Sequence, residues 1–185
     1  MESKLFNYEK EILREAGFSE SDIKGFEKAS YNKIVFDILR KEIIRNGRKY
    51  LLIKFDNINA RKYGVMEFIK EFPHYYKCCY VDTLKLYPQP IDTIFVDNWK
   101  EKVRKFFLKK MRNIVKEVIS KEIDIIFIDN FFIDKTWEEK YWNMFFQKLK
   151  ANNKGMVILG EAINRAIEIM EVKDGKEIVR EIIHF

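Results

Sequence analysis

The run IEIMEVK, residues 167–173, places Glu171 and Lys173 two positions apart on what reads as a strand. A Glu-x-Lys pair with a second carboxylate can hold Mg²⁺ and activate water, the chemistry of one class of metal-dependent nuclease. The second carboxylate would have to be Glu161 or Asp129. Lys173, however, abuts Asp174-Gly175, a turn where charged residues are expected in any case. Asp97 and Asp129 both close apolar runs, and they would share a cation only if their strands were neighbours. His74 and His184 stand far apart with no ligand spacing to a cysteine or carboxylate, so no zinc site is expected. No serine sits in a nucleophile-elbow pattern. No metal and no cofactor is therefore expected.

Phosphate chemistry is tested at residues 49–68, KYLLIKFDNINARKYGVMEF. YLLIKF reads as a buried strand, after which many α/β proteins place a glycine-rich phosphate loop. Such a loop needs backbone N–H groups converging on one anion, a lysine on the outer phosphates and a hydroxyl on the metal. Here a single glycine follows, Gly64, and no Gly-Lys-Ser/Thr. Asp56 would set a negative charge near any triphosphate. Arg61 and Lys62 supply positive charge without that geometry.

These residues must be positioned by a chain of 185 residues, 47% hydrophobic and 15% aromatic, enough to bury one full core. No apolar run reaches membrane-spanning length, and MESKLFNYEKEILREAG lacks a signal peptide's apolar centre. A cytoplasmic protein without membrane contact is the expectation. Lysine and arginine outnumber aspartate and glutamate by 35 to 29, a net charge of +6 that suits a nucleic-acid or acidic partner without requiring one. Abundant Lys, Glu and Ile beside two glutamines, Gln89 and Gln147, lean toward a thermophilic source. Cys78 and Cys79 are adjacent in a strand-like run, so they point to opposite faces and are expected as reduced thiols.

The spacing predicts helices over 7–17 and 20–46, the second capped by Ser19 or Ser21. RNGRK breaks the pattern before the strand YLLIKF. VMEFIKEF (65–72) reads as a helix ending before Pro73, and KCCYVDT (77–83) as a second buried strand. TIFVD (93–97) is a candidate short strand. A long helix follows over 98–121, capped by Asn98, then strand DIIFIDNFF (124–132), helix 135–151 and strand GMVILGE (155–161). The tail AIEIMEVKDGKEIVREIIHF reads as two strands around Asp-Gly, a strong hairpin signal. Strands alternating with helices predict a mostly parallel sheet with right-handed crossovers and a hairpin at one edge.

In this order the motifs CCYVDT, DIIFIDN and GMVILGE, with the terminal hairpin, resemble the RecA-like ATPase core of the archaeal RadA, RadB and KaiC branch, over roughly residues 45–185. The resemblance implies an α/β fold: a mostly parallel RecA-like sheet flanked by helices, a C-terminal antiparallel hairpin and an N-terminal helical extension. Residues 1–46 would form the extension and 47–185 the core of a single compact unit. It also implies that Asp129, ending a Walker B-like strand, stands where magnesium is held through water. Asp56, Asp82 and Asp129 would then mark a degenerate nucleotide site. The water-activating glutamate expected after VDT is replaced by Leu84, and the polar sensor ending the fourth strand by Gly160 and Glu161. With the phosphate loop these are three missing parts, which points to a scaffold without hydrolysis.

On the long helix, Lys105, Lys109, Arg112 and Lys116 follow i, i+4, i+7, i+11 and share one stripe, with Val103, Phe107, Met111, Ile114 and Val118 opposite. Such a ridge, joined by Arg61 and Lys62, could lie on DNA phosphates; an ordinary solvated face is the alternative. WEEKYWNMFFQKL is dense in aromatics, and Trp137, Tyr141 and Trp142 are candidates for a protein contact beyond core packing. The resulting expectation is a non-catalytic RadB-like paralogue in DNA recombination or repair, bound to a RecA-like recombinase or another repair protein and to DNA through the basic helix. A nuclease using Glu171 and Lys173, or a stand-alone DNA-binding protein, are the alternatives.

Overall fold

A computed structural model describes residues 4–86, 99–130, 144–162, 166–173 and 176–184. The chain opens with helices α1 (Asn7–Glu15), α2 (Glu20–Lys28) and α3 (Ile34–Leu39), the last continued by a π-helical turn, Arg40–Arg45. Strand β1 (Tyr50–Lys54), helix α4 (Ile58–Glu71) and strand β2 (Cys78–Asp82) follow. Then come helix α5 (Trp99–Ser120), strand β3 (Ile125–Asp129), a helical stretch over 144–151, and strands β4 (Gly155–Gly160), β5 (Ala166–Lys173) and β6 (Lys176–His184).

The fold is α/β, with one six-stranded mixed sheet ordered β2-β3-β4-β1-β5-β6. β2, β3, β4 and β1 pair in parallel, while β5 runs antiparallel to β1 and β6 antiparallel to β5. Period-2 alternation divides the core cleanly. Leu51, Ile53, Ile125, Phe127, Val157 and Leu159 pack against α1–α4, whereas Leu52, Ile126, Ile128, Met156 and Ile158 pack against α5 and 144–151. Cys78 and Cys79 fall on opposite faces as free thiols. Burial, with a smaller push from Glu117, raises Cys79 to about 11. The helices on opposite faces follow from chain direction. From β1 the chain crosses to the far edge at β2 through α4, then returns strand by strand to β4, and right-handed crossovers travelling opposite ways put their helices on opposite sides.

Two helix expectations change. The stretch 20–46 is not one helix, because Ala29 turns extended and the Asn32 side chain accepts from the Ile34 N–H at 3.0 Å, competing with helix continuation. Ser19 is the cap of α2, receiving the Asp22 N–H while Asp22 reaches back to the Ser19 N–H. In turn α4 begins seven residues before 65, at Ile58, capped by Asn57, whose side chain accepts from the Ala60 N–H at 2.9 Å. From Ala60 to Ile69 every residue but Lys62 is buried, so no amphipathic period announces this helix. The candidate strand 93–97, the Asn98 cap, Asp97 and the aromatic segment at Trp137, Tyr141 and Trp142 lie outside the described residues.

Gly64 is therefore a helix residue rather than part of a loop. A Cβ there would meet Val35 Cβ at 2.8 Å and the Phe36 nitrogen at 3.0 Å, so Gly64 allows α3 and α4 to approach closely. Gly64→Ala, which would gain roughly 0.5–1 kcal/mol in an open helix, should instead destabilise by about 1–3 kcal/mol through overpacking. Urea unfolding of the two proteins checks the sign.

Candidate functional site

The carboxyl ends of β1 and β3 flank the end of β4; α4, which follows β1, packs on one face of the sheet, and the helical stretch 144–151, which comes after β3, packs on the other. In open α/β sheets this crevice is where ligands bind. Here a side chain of the chain itself fills it. Arg61, in the second turn of α4, is fully buried, as is Asp129 at the end of β3. Arg61 Nε donates to Asp129 Oδ1 at 2.9 Å, Nη2 donates to Asn130 Oδ1 at 2.8 Å, and Nη1 donates to the Phe55 carbonyl. One guanidinium thus ties together the turn after β1 and the end of β3.

Asp129 takes more than the guanidinium. Tyr80 Oη donates to Oδ2 at 2.7 Å, and the Asn130 N–H donates to Oδ1 at 2.7 Å. Burial holds this carboxyl above its ordinary value, against the opposing pull of Arg61, Tyr80 and the Asn130 N–H. The Tyr80 phenol is itself raised, first by burial and then by the neighbouring Asp129 charge, so it stays a donor. Thr83 Oγ1 lies 2.9 Å from the Asp129 carbonyl and 2.6 Å from that of Asn130. Asn130 holds the left-handed backbone, φ 56°, which asparagine tolerates better than most residues, and its amide donates to Asp82 Oδ1 at 2.9 Å. Asp82 also accepts from the Leu84 N–H at 3.0 Å.

The three aspartates named from sequence separate. Asp82 and Asp129 are register partners on neighbouring strands, while Asp56 is exposed on the turn before α4. Arg61, counted with the DNA-contacting residues, is enclosed and committed to Asp129. Lys62 lies at the surface of α4 but is paired with Asp22 at 2.9 Å. Lys105, Lys109, Arg112 and Lys116 are all exposed, opposite the buried Phe107, Met111 and Val118. Tyr80, Thr83 and Asn130 were not singled out from sequence; the available signal was hydroxyl and amide groups flanking a strand-end aspartate.

The Glu-x-Lys pair is remote from the other named carboxylates. Glu171 is level with Leu51, and hence with Phe127, three strands from β3 and roughly 14 Å across the sheet at the usual strand spacing. It lies 3.6 Å from Arg48 Nε and 3.9 Å from Lys173 Nζ. Glu161 is exposed beyond the end of β4, further along the strand direction. Among the described residues, no group of three or more His, Cys, Asp or Glu is placed to hold a metal ion, and no helix is long and apolar enough to cross a membrane.

Removing either partner of Arg61–Asp129 strands a buried charge. Arg61→Met and Asp129→Asn should each cost about 3–5 kcal/mol, and the double variant clearly less than their sum. Urea unfolding of the four proteins gives the coupling, and additive losses would show that the pair is not a unit. Asp22 gives a separate pH signature. Desolvation would raise its carboxyl, but hydrogen bonds from Lys62 and Ser19 prevail and hold it below the ordinary value. Its contribution to stability is then full above about pH 4, the ordinary carboxylate value, and fades as pH falls through the lowered one. Asp22→Asn should flatten that acid limb in a pH series of melting temperatures.

Comparison with family models, with curated proteins and with solved structures finds no match, so the chain is placed in no family.

Proposed function

We propose that the chain is a non-catalytic protein of the RecA-like, RadB-resembling kind that works by binding rather than by hydrolysis, as an accessory to DNA recombination or repair. The observation that carries this reading is the Arg61 guanidinium seated on Asp129. In the resembled ATPases the turn after the first strand cradles phosphates while the Walker B aspartate holds magnesium, so the two must converge. They do converge here, and an internal cation joins them. A buried guanidinium held by three acceptors supplies the positive charge that a metal–phosphate group would bring. Leu84, exposed and apolar, stands where the water-activating glutamate is expected and has no proton to take or give.

The binding surface in this reading is α5. Lys105, Lys109, Arg112 and Lys116 form an exposed ridge on a helix whose other side is anchored in the core by Phe107, Met111, Val115 and Val118. A rigid row of cations suits the regularly spaced phosphates of a nucleic acid and reads no base sequence. A recombinase or repair protein is the partner that the resemblance suggests.

Two measurements test the reading. A fluorescent ATP analogue with Mg²⁺ should show no saturable binding, and the protein should release no phosphate from ATP; binding seated against Asn57–Gly64 would overturn the reading. Single- and double-stranded DNA should bind with an affinity that falls as salt rises. Replacing all four ridge cations by alanine should reduce the slope of log K against log salt by about 3–4 on duplex DNA. An unchanged slope would remove α5 as the interface.

A further inference from the structure

We infer that β6 is a self-association edge, through which two copies of this chain join their sheets into one continuous sheet. β6 ends the sheet order and runs nine residues, the longest strand among the described residues. Soluble proteins usually shield such an edge with short strands or charge. This one carries charged residues too, yet it exposes Ile178, Val179 and Ile182 among them, with Val179 57% accessible.

The sequence of the edge says what covers it. Residues 178–183 read Ile-Val-Arg-Glu-Ile-Ile. Laid antiparallel against itself about a two-fold between Arg180 and Glu181, the run sets Ile178 opposite Ile183, Val179 opposite Ile182, and Arg180 opposite Glu181. The last pairing occurs twice by symmetry. In this register apolar positions stand opposite apolar ones and the arginine position stands opposite the glutamate position, which is the self-complementarity an isologous interface requires. The in-sheet register agrees with this facing. Val179 and Ile182 stand opposite Met170 and Glu168 on β5, and Ile178 and Ile183 opposite Glu171 and Ile167, so each apolar pair shares a face. The ladder to β5 steps from Val179 to Glu181, a bulge at the position of the two-fold. Bulges add local twist, and Ile178, Val179 and Ile182 stay exposed around this one.

Glu181 also reaches Lys41 at 3.0 Å within its own chain, but both groups are well exposed, so that ion pair contributes little and its loss does not confound a charge reversal. The inference is independent of the nucleic-acid reading of α5. A two-fold perpendicular to the joined sheet would place both α5 ridges on the same surface.

Sedimentation velocity of the full chain across a micromolar concentration series should give a species of twice 22.4 kDa at the upper end. Arg180→Glu and Glu181→Arg should each be monomeric, because each sets like charges opposite one another. An equimolar mixture of the two single variants should restore the dimer, since every glutamate then faces an arginine. Circular dichroism of each variant confirms that it is folded, and Val179→Lys, at an exposed position, should also be monomeric. A wild-type protein that stays monomeric throughout would overturn the inference, as would a mixture that fails to pair.

Discussion

The Arg61 guanidinium cannot leave Asp129 without stranding a carboxylate that has no access to water, and it cannot stay without closing the crevice above the sheet. A buried ion pair is favourable only where geometry and further hydrogen bonds offset the desolvation of both charges. That condition is met by the Phe55 carbonyl and the Asn130 amide on one side, and by Tyr80 and the Asn130 N–H on the other. The surrounding elements are arranged to keep these donors and acceptors in place. Asn57 caps α4 so that its second turn presents Arg61, and Thr83 fixes the carbonyls at the end of β3.

Sheet topology explains why one arginine can reach so much. Outward travel through α4 and return travel through α5 divide the helices between the two faces, and the connections separate where β1 meets β4. In proteins that use this position for a ligand, the opening is the point of the architecture. Here it is a fastening between the two directions of the chain. The same division leaves α5 with one side buried and its cations outward, and it leaves β6 at the end of the sheet.

The N-terminal helices belong to this arrangement. α1 to α3 share one apolar cluster with α4 and with one face of the sheet, and Gly64 sets how closely α3 lies. Lys62 adds a polar tie from α4 to the first turn of α2 through Asp22. Among the described residues the buried cation, Arg61, serves cohesion.

Much of this was written in local sequence. The apolar runs ending in Lys54, Asp82, Asp129 and Gly160 defined their strands, because a strand covered on both faces must be apolar throughout. The absence of a Gly-Lys-Ser/Thr motif after β1 and the basic row on α5 were equally legible, since both are patterns of neighbouring residues. Three things were not. The start of α4 was hidden because a helix buried on nearly all sides has no amphipathic period. The break after α2 was hidden because Asn32 competes for the backbone only in its own local turn. The fate of Arg61 was hidden because a cation in a polar run reads as exposed until a carboxylate 68 residues away is folded against it. Local chemistry determined the elements and what they lack; long-range packing alone decided which charge was buried, because the desolvation that makes such a pair consequential exists only once the strands stand side by side.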